Sequence, residues 1–298
     1  MSITYRPARA EELARAEELV AGSINDLTLR HGFGRMASAR PPHFHIFSLK
    51  DDPDGLWIAE DGSDILGFGF SWVCGRLWFL SELFVAPDQQ GRGIGNELMR
   101  RTLEHGRKAG ASDKVLITFA FNRVSQGLYI RHGLFPRIPL HLVSAPREAW
   151  TALEHAPPLE AAVIGMGDLP AIATIDAHAI GVSREKHHRY LIGESDLKGF
   201  LFRDGKATIG YAYISPEGHV GPLAVSQPEV MGPVFAAALG RAREAGSAQV
   251  SALIPGVSEA ALGLAVAQGM RIALPMMVMS SRDFGDWRCY LPRNPGFM

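Results

Sequence analysis

The sequence predicts an α/β protein made of two consecutive copies of one mixed unit. Three observations predict it. Short runs rich in aromatic and β-branched residues alternate with longer runs of helical periodicity. The pattern of the first half returns, degraded, in the second. The 298 residues suit about two domains of ordinary size.

The elements of the first half follow in order. Ile3–Arg6 reads as a short strand. Ala8–Val20 places Leu13, Ala16, Leu19 and Val20 at helical spacing and reads as an amphipathic helix. Residues 31–55 are rich in His, Pro, Arg and Asp, with weak periodicity, and suit a short helix plus loop. Leu56–Glu60, Asp64–Trp72 and Leu77–Val85 read as strands, and Asp61-Gly62 is a hairpin signal. A Pro/Gly-rich loop over Pro87–Gly95 then feeds a helix from Asn96 to Lys108, closed at Ala109-Gly110. Lys114–Ala120 is an expected strand, Arg123–His132 a helix and Leu134–Val143 a strand. The order β-α-α-β-β-β-α-β-α-β makes one α/β domain over 1–143. Residues 144–158 hold three prolines and read as a linker to a second domain over 159–298.

The repeat rests on three segments that keep their order. Asp61-Gly62 and Gly67 return as Asp204-Gly205 and Gly210, at an offset of 143. Leu83-Phe84-Val85 returns as Leu223-Ala224-Val225, at an offset of 140. Ala109-Gly110, Leu128 and Gly133 return as Ala245-Gly246, Leu264 and Gly269, at an offset of 136. The second copy is therefore three residues shorter between its middle strands and four shorter after Val225.

Composition narrows the function. Hydrophobic residues at 47% and charged residues at 20% describe a globular chain with sizeable cores. A net charge of -1 supplies no electrostatic footprint for nucleic acid or an anionic membrane. Cys74 and Cys289 lie far apart, fitting reduced thiols rather than a disulfide framework or a metal cluster. The N-terminal stretch carries Glu11, Glu12, Glu17 and Glu18, unlike a signal or transit peptide. No apolar run approaches the roughly 20 residues needed to span a bilayer. We expect a cytoplasmic protein, monomeric or homodimeric, with no metal, membrane or nucleic-acid partner.

The segment that carries chemistry is Gln90-Gly91-Arg92-Gly93-Ile94-Gly95-Asn96, set between an expected strand and an expected helix. Such a turn exposes consecutive backbone N–H groups at the positive end of a helix dipole, which makes an anion site. Gly93 and Gly95 lack Cβ and let a phosphate approach the main chain. Gln90 can hydrogen-bond across the loop or to the ligand. No Lys-Ser/Thr follows the glycines, so this is not a P-loop. Gly32-Phe33-Gly34 comes nearer to the dinucleotide fingerprint, but no strand precedes it and no βαβ unit surrounds it.

Gln90-Gly91-Arg92-Gly93-Ile94-Gly95, after Leu83-Phe84-Val85-Ala86-Pro87, resembles the Gln/Arg-x-x-Gly-x-Gly/Ala signature of the GNAT acetyltransferases. Asn122-Arg-Val-Ser125-Gln-Gly-Leu128-Tyr129, with Gly133-Leu134-Phe135 after it, resembles that family's second motif, with Leu134 as an insertion before Phe135. The resemblance spans roughly residues 1–143. It implies two tandem GNAT-like domains, each a mixed, mostly antiparallel twisted sheet flanked by helices. It also implies acetyl-CoA as cofactor and a primary amine of a small molecule as acceptor. By the same resemblance, amides from Gly91 to Asn96 hold the CoA pyrophosphate. The edge Leu83, Phe84 and Val85 pairs with the pantetheine arm, and the Val85 N–H sits near the thioester carbonyl. Asn122 and Ser125 line the pantetheine side, and Tyr129 lies near the sulfur.

The implied reaction is direct attack of the amine in a ternary complex, with a backbone N–H polarising the carbonyl. Tyr129 is the expected acid, since a phenol of pKa about 10 can serve a departing thiolate. Glu82, a carboxylate among Leu80, Leu83 and Phe84, is the expected base, with a Glu–Arg structural pair or an ordered water as alternatives. In the second copy Asn122, Ser125 and Tyr129 meet Ser258, Ala261 and Ala265, and Pro228 and Pro233 stand where the loop would donate N–H groups. That copy is expected not to bind CoA. His43 and His45, and the group His178, His187 and His188, read as solvated or acceptor-contacting residues, and Met276, Met277 and Met279 as core. A non-catalytic acyl-CoA-binding protein and a protein N-acetyltransferase remain the alternative classes.

Overall fold

The computed structural model describes residues 3–149 and 159–298. Two compact units divide the chain: 1–135 with 279–282, and 136–278 with 283–298.

The first unit contains β1 (Thr4–Pro7), α1 (Leu13–Arg30), α2 (His43–Asp51), β2 (Leu56–Asp61), β3 (Asp64–Cys74), β4 (Leu77–Val85), α3 (Ile94–Lys108), β5 (Asp113–Phe119) and α4 (Arg123–Arg131). Its strands lie in the order β1-β2-β3-β4-β5. The first four pair antiparallel, and β4 with β5 is parallel. Gly62, at φ +62°, closes the β2–β3 hairpin where Asp61-Gly62 marked it. Helix α3 buries Ile94, Leu98, Met99 and Thr102 in one stripe. That stripe lies on Gly67, where a Cβ would come within 2.9 Å of Leu98 Cδ1. A buried leucine of this kind contributes roughly 1.5–3 kcal/mol. Helix α1 runs to Arg30, ten residues past the expected end at Val20. Its later inward positions are Asn25 and Thr28, polar residues whose side chains bind the loop after the helix, so the apolar period stops while the helix continues.

The second unit contains most of β6 (Phe135–Pro146), then β7 (Glu160–Val163), α5 (Leu169–Ile180), α6 (Glu185–Gly193), β8 (Lys198–Asp204), β9 (Ala207–Ile214), β10 (His219–Val225), α7 (Met231–Glu244), β11 (Gln249–Pro255), α8 (Glu259–Ala267), most of β12 (Arg271–Ser280), and β13 (Tyr290–Leu291). Its strand order is β12-β6-β11-β10-β9-β8-β7, with β13 against β10. The expected linker begins too early. Ser144, Ala145 and Pro146 are still strand, registered with Ser251, Val250 and Gln249, because extended backbone there finds a partner edge. Residues 150–158 of that linker lie outside the described residues.

The repeat is written into the sheet irregularities. The β2–β3 ladder shifts register between Ala59 and Glu60, and the β8–β9 ladder between Phe202 and Arg203. These positions are related by the offset of 143 found in the sequence. Gly210 repeats Gly67: its Cβ would meet Ala224 O at 2.9 Å and α7's Val234 at 3.1 Å. Each unit is thus a mixed, mostly antiparallel sheet flanked by helices.

Candidate active site

The loop between β4 and α3 makes an anion cradle. Gly91 and Gly93 hold φ of +82° and +84°, a region that favours glycine, and a Cβ at either would meet nothing within 4 Å. Gly93 caps α3. Among the described residues, the five N–H groups from Gly91 to Gly95 donate to no protein acceptor. The Asn96 N–H is different: it donates to Gly93 O at 3.1 Å, so the donor set ends at Gly95. The Ile94 side chain packs with Ala59, Leu66 and Leu98, leaving only its backbone for the site. Gln90 reaches across the loop and donates through Nε2 to Val85 O at 3.2 Å. Arg92 is exposed and bonds Gln89.

Beside the cradle the sheet opens. The parallel register of β4 with β5 ends at Leu80–Leu116, although β4 continues to Val85 and β5 to Phe119. The β3–β4 ladder shifts between Phe70 and Ser71, which makes Ser81 an extra residue on β4. Past this bulge, Glu82, Leu83, Phe84 and Val85 are only partly buried, while the preceding residues of β4 are buried. The Ala86 N–H donates to Leu66 O on the β3 side, so strand alternation turns the Val85 N–H toward the gap.

In the second unit the corresponding gap is filled by the chain itself. There β10 and β11 register only at His219–Ser251 and Val220–Ala252. Beyond that, β13 lies along β10, pairing Leu223 with Leu291 and Ala224 with Tyr290. The Val225 N–H, counterpart of Val85, donates to Cys289 O at 3.0 Å. The second copy thus has a strand of its own chain along the edge that corresponds to Leu83–Val85.

The second motif meets the first. A Cβ on Gly95 would lie 3.9 Å from Leu128 Cδ2, and Asn96 Oδ1 lies 2.9 Å from His132 Nε2. Asn122 caps α4: its Oδ1 accepts from the Ser125 N–H at 3.2 Å, and its Nδ2 donates to Ser125 Oγ at 2.8 Å. Tyr129, buried on this helix, is pushed up to about 12 by burial, against a smaller opposing effect of the Ser125 hydroxyl.

Glu82 is paired with a histidine, not with an arginine. His45 Nε2 lies 3.1 Å from Glu82 Oε2, and His45 Nδ1 lies 3.5 Å from Glu17 Oε1. Of the two readings of His45, solvated or acceptor-contacting, the solvated one is corrected, as is its place in a loop: it is buried in α2, with Phe68 and Phe70 rings at 5.6 and 5.1 Å. Burial disfavours its charged form, but Glu82 and Glu17 outweigh that and hold its pKa above the ordinary value. Burial and the Glu82 carboxylate raise Glu17, with His45 and Arg40 opposing. Ligand atoms of the three groups lie within 4.8 Å of one another. The carboxylates address opposite nitrogens of one ring, however, Glu82 by a hydrogen bond and Glu17 at an ion-pair distance, which is not the arrangement of a chelate.

The signal that would have found His45 is the repeat. At the offset of 143, His45 becomes His188, and Phe68 and Phe70 become Tyr211 and Tyr213. His188 sits over those two rings at 5.1 and 5.7 Å. His187 and His188 are both buried, which corrects their reading as solvated: folding closes a polar cluster around His188. Its Nε2 lies 3.0 Å from Asp176 Oδ2 and its Nδ1 3.0 Å from the Tyr213 hydroxyl, while Arg184 Nε donates to Asp176 at 3.0 Å. Burial lowers His188, and despite burial Arg184 and His188 hold Asp176 far below the usual carboxylate range.

No helix among the described residues is long and apolar enough to cross a membrane. Residues 24–134 match the model of the Acetyltransferase (GNAT) family. A thialysine N-epsilon-acetyltransferase of Bos taurus is 29% identical over 125 residues, which is 40% of this chain and 69% of that protein. Across the curated relatives the matched stretch is 19% to 44% of this chain and 30% to 69% of theirs. Two solved structures share the fold over nearly the whole chain. One, classed as an acetyltransferase from Pyrococcus horikoshii, has a TM-score of 0.79 at 17% identity, covering 99% of this chain and 96% of that one. The other, a tandem GNAT protein from the clavulanic acid biosynthesis pathway, has a TM-score of 0.60 at 13% identity, covering 94% and 98%. Residues 24–134 thus match the GNAT acetyltransferase family, and the chain shares its fold with a tandem GNAT protein.

Proposed function

We propose that the chain transfers an acetyl group from acetyl-CoA to a primary amine of a small molecule, by direct attack in a ternary complex, with residues of its first unit. The observation that carries this reading is the junction of cradle and gap. Five uncommitted N–H groups at a helix N-terminus open onto the strand edge Leu83–Val85, which lies past the end of the β4–β5 register at Leu80–Leu116. The cradle suits the pyrophosphate of CoA, and the edge Leu83, Phe84 and Val85 suits its pantetheine arm. When bound, acetyl-CoA supplies an acyl group activated as a thioester. The Val85 N–H polarises the acyl carbonyl as charge develops on its oxygen. Glu82 takes the proton that the ammonium must lose before it can attack. Tyr129 keeps its proton at neutral pH and offers it to the departing sulfur. Asn122 and Ser125, by capping α4, set the direction of the helix that carries Tyr129. The β13 strand along β10 supports the reading that the C-terminal copy binds no CoA.

Release of free thiol from acetyl-CoA, followed over a panel of primary amines, tests this reading. Thiol release depends on added amine, and Glu82→Gln lowers kcat by about two orders of magnitude, as loss of a general base does. Thiol release at equal rates with and without amine, or an unaltered Glu82→Gln enzyme, refutes it.

A further inference from the structure

We infer that Glu17, His45 and Glu82 form a site for an acceptor that carries one positive charge, its reacting ammonium, and that a second cation is selected against. The inference rests on the amine-acetylation reading above and adds the substrate class. Its first ground is proton counting. His45 faces a carboxylate oxygen from each ring nitrogen, at 3.1 and 3.5 Å. Glu82 is hydrogen-bonded to the ring and Glu17 stands at an ion-pair distance, and two carboxylates facing one imidazole favour one proton beyond the neutral ring, held on the ring or on a carboxyl. Wherever that proton sits, two carboxyls and one imidazole together carry a net charge of about -1. The cluster is close to buried, with side-chain exposures of 16% for Glu17, 6% for His45 and 15% for Glu82, so this charge is poorly screened. It also stands at the start of the open edge of β4, where an acceptor must approach.

The second ground is the counterpart in the second unit, which shows the same histidine position with its charge already balanced. His188 holds the place of His45 over the equivalent pair of rings. Its carboxylate partner Asp176 is matched by the guanidinium of Arg184, 1% exposed, at 3.0 Å. Arg184 corresponds at the offset of 143 to Pro41, and Glu82 corresponds at the offset of 140 to Pro222. The second copy has therefore lost a carboxylate and gained a buried cation, whereas the first has only the exposed, solvated Arg40 near its carboxylates and lacks that buried balance. One ammonium restores that balance. Arg40, whose backbone bonds Glu17 and whose charge also lowers it, is exposed and adds a rim charge that opposes a second ammonium.

The test compares butylamine with 1,4-diaminobutane as acceptors for the full chain and acetyl-CoA. The wild type acetylates butylamine with the higher kcat/KM. His45→Gln removes the balancing charge and raises the diamine-to-monoamine ratio by about tenfold, while Glu17→Gln removes a carboxylate and lowers the same ratio. Opposite movement of one ratio cannot come from partial unfolding, which lowers both rates together. A wild-type preference for the diamine, or a ratio that neither substitution moves, overturns the inference. So does failure to acetylate either amine while acetyl-CoA still binds in calorimetry. Failure to bind acetyl-CoA at all sinks the acetyl-transfer reading beneath it instead.

Discussion

Replacing Tyr129 by Phe removes one hydroxyl from a side chain that is 6% exposed. Burial pushes that phenol up to about 12, whereas an ordinary thiol titrates near 8.5. Complete transfer of the phenolic proton to a thiolate is thus uphill by about 3.5 pK units, or about 5 kcal/mol. A transfer of that cost makes the hydroxyl chiefly a charge-assisted hydrogen-bond donor to the leaving sulfur, worth about 1.5–3 kcal/mol. The predicted loss in kcat for Tyr129→Phe is therefore about 10- to 150-fold. KM for acetyl-CoA stays within about twofold, because the donated bond is strong only once charge has developed on sulfur. The wild-type kcat does not fall between about pH 8 and 10, since a phenol held near 12 stays protonated there. The assay is continuous thiol release under saturating amine, with a thermal melt as control. Loss of the buried bond itself costs about 1 kcal/mol, a shift of roughly 2–4 °C. A kcat within twofold of the wild type, whatever the melt shows, refutes the role of Tyr129 as donor.

Further predictions concern the scaffold. Asn122→Ala removes the α4 cap, costs about 1 kcal/mol in chemical denaturation, and lowers kcat because the helix carrying Tyr129 loses its anchor. Asp176→Asn leaves Arg184 buried without its carboxylate and destabilises the fold by about 3–5 kcal/mol, read from the denaturation midpoint. The Asp176 carboxylate is depressed in the folded state, so its stabilisation is present above its unfolded value near 3.9 and is lost as pH falls. Acid unfolding of the wild type, followed by circular dichroism, accordingly sets in below about pH 4, and the Asp176→Asn protein lacks this component.

The parts of the fold that could be read ahead are those where chemistry restricts residue choice. Gly91 and Gly93 sit at positive φ, and Asp61-Gly62 and Asp204-Gly205 close hairpins, so both the cradle and the repeat left marks in the sequence. The cradle's limit did not: that Asn96 spends its N–H on Gly93 O depends on where α3 begins, one turn of backbone that residue types do not specify. The inner face of α1 hid behind Asn25 and Thr28, polar side chains committed to backbone partners. His45 was missed because its partners come from 28 and 37 residues away in the chain, and only the offset linking it to His188 would have exposed it. The filling of the second gap by Tyr290–Leu291 was beyond reading, because a strand of 2 residues has no period.

A live cofactor site in the first copy and a closed one in the second together explain the acetyl-transfer reading. Calorimetric titration of the purified chain with acetyl-CoA tests it most directly. One molecule is expected to bind per chain, with binding abolished by Gly93→Trp, whose side chain would fill the open space over the cradle. Two molecules per chain, unchanged binding in Gly93→Trp, or no binding at millimolar cofactor would contradict it.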